Sequence, residues 1–375
     1  MLPLQAAFGW STSELMTTTS FTAFGGIFSS QLAGHLNKRF GMRIVALWSF
    51  LGLFVALLCI TQIAALGGSI WVLYAFFALL GFAGVGTLQV TWTQLVNGWF
   101  DKNRGLALAI VLSGSGFMGV VLPTVLTLVT SHFDWRAGFV VLAILPVAIT
   151  LPLAYIWLRE LPHKTQDGTN ASNSAIDIPG VSYAEGIRDW RFWVITLAII
   201  MVAAGVMVVL VNSIPILVDK GYTAIEASKL FGVFGLSLVF GRIITGLLID
   251  RLWAPAVACV VFLLCAVGCF LLATVSDNTS LLIVAVALVG IGGGAEFDIS
   301  AFLIVRYFGM RDYSRLFGLH LAALSAGICA APFSAAISYK LTESYHDVLV
   351  FYACLFAVSA LLLLTIGRYP RFSNT

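Results

Sequence analysis

Charged residues are scarce in this chain: Asp, Glu, Lys and Arg together make up 10% of its 375 residues. A soluble domain carries roughly 25% charged residues, so this composition argues against a water-soluble globular protein. Hydrophobic residues make up 60% of the chain instead. They form about eleven apolar runs, each long enough to cross a bilayer core as a helix. The predicted spans are approximately 14–35, 43–66, 70–96, 105–130, 137–158, 191–217, 227–249, 255–275, 280–305, 316–339 and 347–367.

Motifs for catalysis and cofactor binding are also missing from the sequence. It contains no GxxxxGK[ST] nucleotide loop, no Cys/His cluster with metal-ligand spacing and no hydrolytic triad. Its six cysteines all fall within predicted spans and include no CxxC pair, which is typical of small apolar filler side chains. We therefore expect no enzyme activity, no cofactor, no metal and no nucleic-acid partner.

The few basic residues are distributed unevenly between the two sides of the predicted spans. Lys and Arg resist translocation, so the side that carries most of them is predicted to be cytoplasmic. Only Arg136, Lys220, Lys229 and Lys340 lie in loops on the other side. We therefore predict a multi-pass protein of the cytoplasmic (inner) membrane, embedded in the lipid bilayer, with its C-terminus in the cytoplasm.

Residues 9–40 and 221–252 repeat one another without a gap. Repeated halves in a membrane protein are typical of secondary transporters. The longest polar stretch, 159–190, separates the halves, which predicts an N-terminal bundle at 1–158, a cytoplasmic linker at 159–190 and a C-terminal six-helix bundle at 191–375. The matching positions are Gly9 and Gly221, Glu14 and Glu226, Gly34 and Gly246, and Arg39 and Arg251.

The two halves differ in their number of predicted spans, because the first half holds one span fewer than the second. We interpret residues 1–10 as the tail of a first helix that is missing from this sequence. The expected fold is therefore an all-α polytopic membrane protein of two six-helix bundles related by a pseudo-twofold repeat, with about eleven of twelve transmembrane helices present.

One loop motif occurs in both copies of the repeat. Its first copy comprises Gly34, Leu36, Arg39, Gly41 and Arg43, with Lys38 between them, and its second comprises Gly246, Leu248, Asp250 and Arg251. These residues resemble the motif G-x-L-x-D-R-x-G-x-R of the major facilitator superfamily, in which Lys38 would replace the usual Asp. Arg104-Gly105 resembles a further family motif. The resemblance implies the major facilitator fold and a gating role for Gly34, Arg39, Gly41, Arg43, Arg104, Gly246, Asp250 and Arg251.

Longer segments point to particular branches of that family. FGWSTSEL, FDWRAGF, FGRIITG and RYFGMRDYSRLFG are similar to segments of monocarboxylate porters and oxalate–formate antiporters. In those branches an arginine of the eighth helix is implicated in holding the substrate carboxylate, and Arg242 matches it. The resemblance implies a small organic anion, a mono- or dicarboxylate, that moves with protons or in exchange for a counter-anion. Leu238 stands where many monocarboxylate porters have an acid, which leaves the proton-coupling residue open.

Polar side chains within the spans are the candidate site. Arg242 is costly in a membrane unless it is paired, and its planar fork suits a carboxylate; the alternative is a permanent ion pair with an acid on a neighbouring helix. Glu296 and Asp298 point about 200° apart on one helix, so at most one faces a cavity squarely. These acids and His320 are proton-coupling candidates, with purely structural roles as the alternative. Asn212, Gln89, Thr93 and Ser113 are candidates for orienting a substrate, or for hydrogen bonds between helices.

Two other functions compete with organic-anion transport. An exporter of amphipathic drugs or metabolites would need only an apolar cavity, although the fifth helix lacks the G-P-x-x-G-G ending of the antiporters. The missing first helix would also suit a non-transporting membrane sensor or interaction protein. Whatever the function, we expect the protein to be a monomer.

Overall fold

The computed structural model describes residues 2–100, 102–158 and 180–370, and almost all of them lie in α-helices. A helix satisfies every backbone N–H and C=O group internally, which a lipid environment requires. Within the described residues the helices are α1 (Leu2–Phe8), α2 (Thr12–Phe40), α3 (Met42–Thr61), α4 (Ile70–Ala83), α5 (Gln89–Trp99), α6 (Arg104–His132), α7 (Trp135–Leu145), α8 (Leu151–Trp157), α9 (Tyr183–Gly186), α10 (Trp190–Asp219), α11 (Ala224–Arg251), α12 (Ala254–Thr274), α13 (Thr279–Phe308), α14 (Tyr313–Thr342) and α15 (His346–Thr365).

Many helices in the described part of the chain have the length and composition of membrane spans. Eight helical segments there are long and apolar enough to cross a membrane, and α4 and the first part of α6 are shorter apolar helices. The all-α architecture predicted from the apolar runs is thereby confirmed.

The chain folds into two compact units. The first contains the described residues of Met1–Trp99, Phe117–Ile178 and Ser314–Ala322. Its core includes the buried side chains of Leu15, Leu57, Ile60, Leu73 and Trp135. The second contains the described residues of Phe100–Gly116, Pro179–Tyr313 and Ala323–Thr375. Its most extensive helix pairs are α11 with α13 and α12 with α15. The division into bundles at 1–158 and 191–375 stays a prediction.

The sequence repeat has a direct structural counterpart at two helix starts. The Ser11 hydroxyl accepts a hydrogen bond from the Glu14 amide, and the Glu14 carboxylate accepts one from the Ser11 amide. Thr223 and Glu226 form the same capping box at the start of α11. Because such boxes satisfy backbone N–H groups that have no partner within the helix, they fix where both repeated helices begin.

The predicted span 70–96 is interrupted in the structure. Helix α4 ends at Ala83, a 3₁₀ turn follows at Val85–Thr87, and α5 begins at Gln89. The Gly86 amide donates to the Ser49 hydroxyl over 2.7 Å. A Cβ on Gly86 would lie 2.5 Å from the Val45 carbonyl oxygen. The break therefore depends on close packing against α3, which no local apolar pattern reveals.

The described end of the predicted linker belongs to the second unit and packs at the end of α13. The Val181 amide donates to the Phe308 carbonyl oxygen over 2.9 Å, and the Tyr183 amide donates to the Asp312 carboxylate over 3.0 Å. Hydrogen bonds from Ser182 lower the pKa of the Glu185 carboxyl, which caps the short helix α9. Residues 159–179 of the predicted linker lie outside the described residues.

Candidate functional site

Glycines bring the backbones of α11 and α13 into direct contact. A Cβ on Gly241 would lie 2.5 Å from the Cα of Ile291, and one on Gly290 would lie 2.7 Å from the Phe234 carbonyl oxygen. A Cβ on Gly294 would collide with the Leu238 carbonyl oxygen. We call the contact made by Gly241, Gly290 and Gly294 the glycine seam. It places Arg242 of α11 beside Asp298 of α13, in the second half of both helices.

Arg242 of α11 and Asp298 of α13 form a buried ion pair. The exposed fractions of their side chains are 5% and 0%, and Arg242 Nε lies 3.7 Å from Asp298 Oδ2. The same Nε–H donates a hydrogen bond of 3.0 Å to the Gly294 carbonyl oxygen. Sequence periodicity left the choice between Glu296 and Asp298 open, and the structure places Asp298 against the guanidinium.

The ion pair is incompletely satisfied. Neither carboxylate oxygen of Asp298 accepts a hydrogen bond from the described residues, and Arg242 Nη1 donates none to them. Glu296 is also buried, interacts electrostatically with Arg242 and Asp298, and leaves its Oε2 without a hydrogen bond in the described structure. Buried polar groups normally have partners. Unused hydrogen-bonding capacity at this depth therefore marks the cluster as a place where a ligand or a proton could bind.

The uncharged candidates form bonds within their own helices. Asn212 Nδ2 donates to the Val208 carbonyl oxygen over 2.9 Å, and Ser113 Oγ donates to the Ala109 carbonyl oxygen over 2.6 Å. Such back-bonding satisfies the side chain but leaves acceptor lone pairs for another group. Asn212 and Ser113 belong to the same unit as Arg242.

The remaining candidates belong to the first unit. Thr93 Oγ1 donates to the Gln89 carbonyl oxygen over 2.7 Å. His320 is fully buried and its ring stacks on Phe317 with centroids 5.7 Å apart. Sequence reasoning missed Asn37 in this unit, whose Nδ2 donates to the Thr91 hydroxyl over 3.0 Å and so links α2 to α5. Its only sequence signal is an amide at the end of a mostly apolar helix.

The two copies of the loop motif place glycines at close helix contacts. In the first unit a Cβ on Gly34 would lie 2.5 Å from the Ser314 carbonyl oxygen, and in the second a Cβ on Gly246 would lie 2.6 Å from that of Gly105. Gly41 has a φ of 83° between α2 and α3, a conformation that favours glycine. The motif arginines lie at helix ends. Arg39 lies over the Phe40 ring, and Arg251 is exposed at the end of α11. Arg43 donates to the Tyr155 carbonyl oxygen, and Arg104 donates to the Phe100 carbonyl oxygen.

Asp250 caps the first turn of α6. Its Oδ1 accepts a hydrogen bond from the Gly105 amide over 2.7 Å, and its Oδ2 accepts one from the Leu106 amide over 3.0 Å. A carboxylate at a helix N-terminus satisfies orphan N–H groups and interacts favourably with the helix dipole. The sequence pointed to Asp250 but not to its partners, because main-chain amides carry no side-chain signature.

Asp250→Ala is expected to increase hydrogen exchange of the Gly105 and Leu106 amides about tenfold, since a lost cap costs about 1 kcal/mol or slightly more. Hydrogen–deuterium exchange with mass spectrometry on the α6 peptide would measure it. Asp134→Ala is the matched control, because Asp134 caps a different helix through the Trp135 amide. Equal exchange of the α6 peptide in wild type and Asp250→Ala would disprove the capping role.

The sequence of the chain is similar to those of known transporters. The chain is 25% identical over 174 residues to the MFS-type transporter pytF of Aspergillus terreus, which covers 46% of the chain and 55% of pytF. It is 23% identical over 228 residues to Monocarboxylate transporter 13 of Bos taurus, which covers 61% of the chain and 50% of that transporter. The matched part thus spans about half the length of these two curated relatives.

A solved structure and a family model extend the likeness to most of the chain. A crystal structure of a variant of the E. coli fucose:proton symporter FucP matches with a TM-score of 0.76 and 15% identity, covering 98% of this chain and 94% of that one. At this identity the match shows the fold alone. The model of the Major Facilitator Superfamily matches residues 1–332. The chain therefore belongs to the Major Facilitator Superfamily of membrane transporters and has the all-α fold predicted for it.

Proposed function

We propose that the protein moves a small organic anion, a mono- or dicarboxylate, across the cytoplasmic membrane by alternating access. The observation that carries this proposal is the Arg242 guanidinium, which is buried and yet uses only part of its hydrogen-bonding capacity. A guanidinium offers a planar pair of donors that match the two oxygens of a carboxylate. The bovine relative is named a monocarboxylate transporter, which supports the same substrate class.

The charges around Arg242 suggest how transport would be coupled. Glu296 and Asp298 together would carry two negative charges against one positive charge, so a substrate anion would meet net repulsion when both acids are ionised. Protonation of Asp298 would free the guanidinium for the substrate carboxylate, which describes proton symport. Alternatively, the substrate could be exchanged for a second anion that binds at Arg242 in its place, so that the protein never changes conformation without a bound anion; this describes antiport.

Other residues complete the proposed cycle. Asn212, Gln89, Thr93 and Ser113 would orient the substrate, and His320 would be a further proton-coupling residue. The motif residues would form the gate, with Asp250 as the best-defined contact. We further propose that the protein is a monomer in the cytoplasmic membrane. Its C-terminus would lie in the cytoplasm, because most basic loop residues lie on that side.

Uptake of labelled lactate and oxalate into proteoliposomes tests the proposal. Arg242→Gln is expected to lower uptake about 100-fold, since two charge-assisted hydrogen bonds of about 1.5 kcal/mol each would be lost from the bound substrate. Arg242→Lys keeps the charge and should retain part of the uptake, so it separates binding from folding.

Arg188→Gln is the control for a lost surface charge, because Arg188 is exposed and lies outside the cluster. Equal carboxylate uptake by wild type and Arg242→Gln, with both proteins folded by size-exclusion chromatography, would refute carboxylate binding at Arg242. Efflux of a lipophilic cation from the same vesicles, without any carboxylate uptake, would favour the drug exporter.

A further inference from the structure

A polar cavity of about 550 Å³ lies within the second unit, apart from the Arg242 cluster. It opens where α11 ends, α12 begins and α13 ends, next to the first turn of α6. This volume is within the range of roughly 300–1,000 Å³ that is usual for small-molecule sites. Among the described residues, its lining contains four cationic side chains and one carboxylate: Lys102, Arg104, Arg251 and Arg306 with Asp250.

Asp250, the carboxylate among the described lining residues, offsets only one of the four positive charges. Both oxygens of Asp250 already accept hydrogen bonds from the Gly105 and Leu106 amides. Lys102, Arg251 and Arg306 form no ion pair with any residue that the structure describes. The cavity therefore presents an excess of positive charge that the described protein does not compensate.

Arg306 is held in place before any ligand binds. Its guanidinium carbon lies 4.7 Å from the centroid of the Tyr369 ring and 5.8 Å from that of Phe302. Tyr369 is itself fixed, because its hydroxyl accepts a hydrogen bond of 2.9 Å from the Ala254 amide. The Arg306 guanidinium also hydrogen-bonds the Tyr369 hydroxyl. Its remaining N–H groups can bind an anion, and a side chain that is already ordered loses less entropy on binding.

We propose that this cavity binds a phosphorylated anion, such as the headgroup of an anionic phospholipid or a free phosphate ester. The helix ends that form it lie at the predicted cytoplasmic face, where anionic lipid headgroups collect and where basic pockets between helices bind them. Fork-shaped guanidinium groups bind phosphate oxygens in pairs, which Arg251 and Arg306 would do here.

The location of the cavity links it to the gate. Asp250, together with Arg104 at the start of α6, lines the cavity, so an anion bound there contacts both sides of the Asp250 cap. A ligand that binds only when these two elements are in contact stabilises that arrangement. The bound anion would thereby favour the conformation in which Asp250 caps α6.

Native mass spectrometry of the full-length protein released from nanodiscs tests the proposal with phosphatidylglycerol as the probe and phosphatidylcholine as the neutral comparison. Wild type is expected to retain phosphatidylglycerol preferentially. The double variant Arg251→Gln/Arg306→Gln should bind it about tenfold more weakly, and Lys102→Gln should show a smaller loss. This measurement of lipid binding does not require transport, so its failure can be distinguished from failure of the uptake experiment.

Arg188→Gln is the matched control, because it removes an exposed cation from the same predicted face without touching the cavity. Displacement of the lipid by millimolar inorganic phosphate in wild type would identify a water-soluble phosphate ester as the ligand, and retention would identify the lipid. Equal phosphatidylglycerol binding by wild type and the double variant, or an equal loss in Arg188→Gln, would overturn the proposal. Failure of both phosphatidylglycerol and inorganic phosphate to bind wild type would overturn it as well.

Discussion

Replacing Asp298 with alanine is expected to lower the free energy of unfolding by about 3 kcal/mol, more than most single substitutions do. The reason is the guanidinium that stays behind: Arg242 would remain buried without its ion-pair partner, with the Gly294 carbonyl oxygen as its hydrogen-bond acceptor and Glu296 as the acid that still interacts with it. Breaking a buried ion pair by removing one partner typically costs about 3–5 kcal/mol, because the remaining charge loses its partner. Glu296 still compensates Arg242 in part, so the expected loss lies at the lower end of this range.

The double variant Arg242→Met/Asp298→Leu should recover much of this loss, since apolar side chains of similar size can replace a buried pair with little cost. Thermal unfolding in detergent, followed by tryptophan fluorescence, would measure both variants. Asp277→Ala is the control for loss of an exposed carboxylate. A double variant that is less stable than Asp298→Ala would contradict this account of the cluster.

Replacing Gly294 with alanine is expected to destabilise the protein by about 1–3 kcal/mol and to reduce transport strongly. The added Cβ would collide with the Leu238 carbonyl oxygen and would lie 3.1 Å from the Arg242 amide nitrogen. Both contacts are backbone atoms, which cannot rotate away, so α11 and α13 would have to move apart. The separation would change the distance between Arg242 and Asp298 as well.

Gly232→Ala on α11 is the matched control, because a Cβ there meets no heavy atom within 4 Å. Alanine favours a helix over glycine, so this control should leave stability unchanged or raise it by up to about 1 kcal/mol. Unfolding temperatures and carboxylate uptake of the two variants would be compared side by side. Equal stability and uptake for Gly294→Ala and Gly232→Ala would show that the glycine seam has no mechanical importance.

Sequence patterns predicted the helices because backbone N–H and C=O groups in lipid must be hydrogen-bonded within their own segment. An apolar run of sufficient length therefore favours a helix wherever it occurs. Interruptions were not predicted where tertiary contacts cause them. The turn around Gly86 depends on Ser49 of another helix. A second interruption has a local cause: the apolar run 137–158 contains a π-helical segment that starts at Pro146, a residue without a backbone N–H to donate.

The candidate site was predicted in its residue types but not in its pairings. A lone arginine in a membrane span is a strong chemical signal, so Arg242 was identified without structural information. The choice of Asp298 over Glu296 as its partner depends on how α13 is rotated about its axis, and the glycine seam sets that rotation. The Asp250 cap was beyond sequence reasoning for a different reason, since its partners are backbone amides.

The glycine seam makes α11 and α13 a single mechanical element. Because no side chain separates their backbones at Gly241, Gly290 and Gly294, neither helix can turn about its own axis without driving main-chain atoms into the other. We therefore expect the two helices to move together in a conformational change, with the spacing between their main chains at Arg242 and Asp298 retained. What can vary at that position is electric charge, through a bound proton or anion, while the two main chains keep one separation.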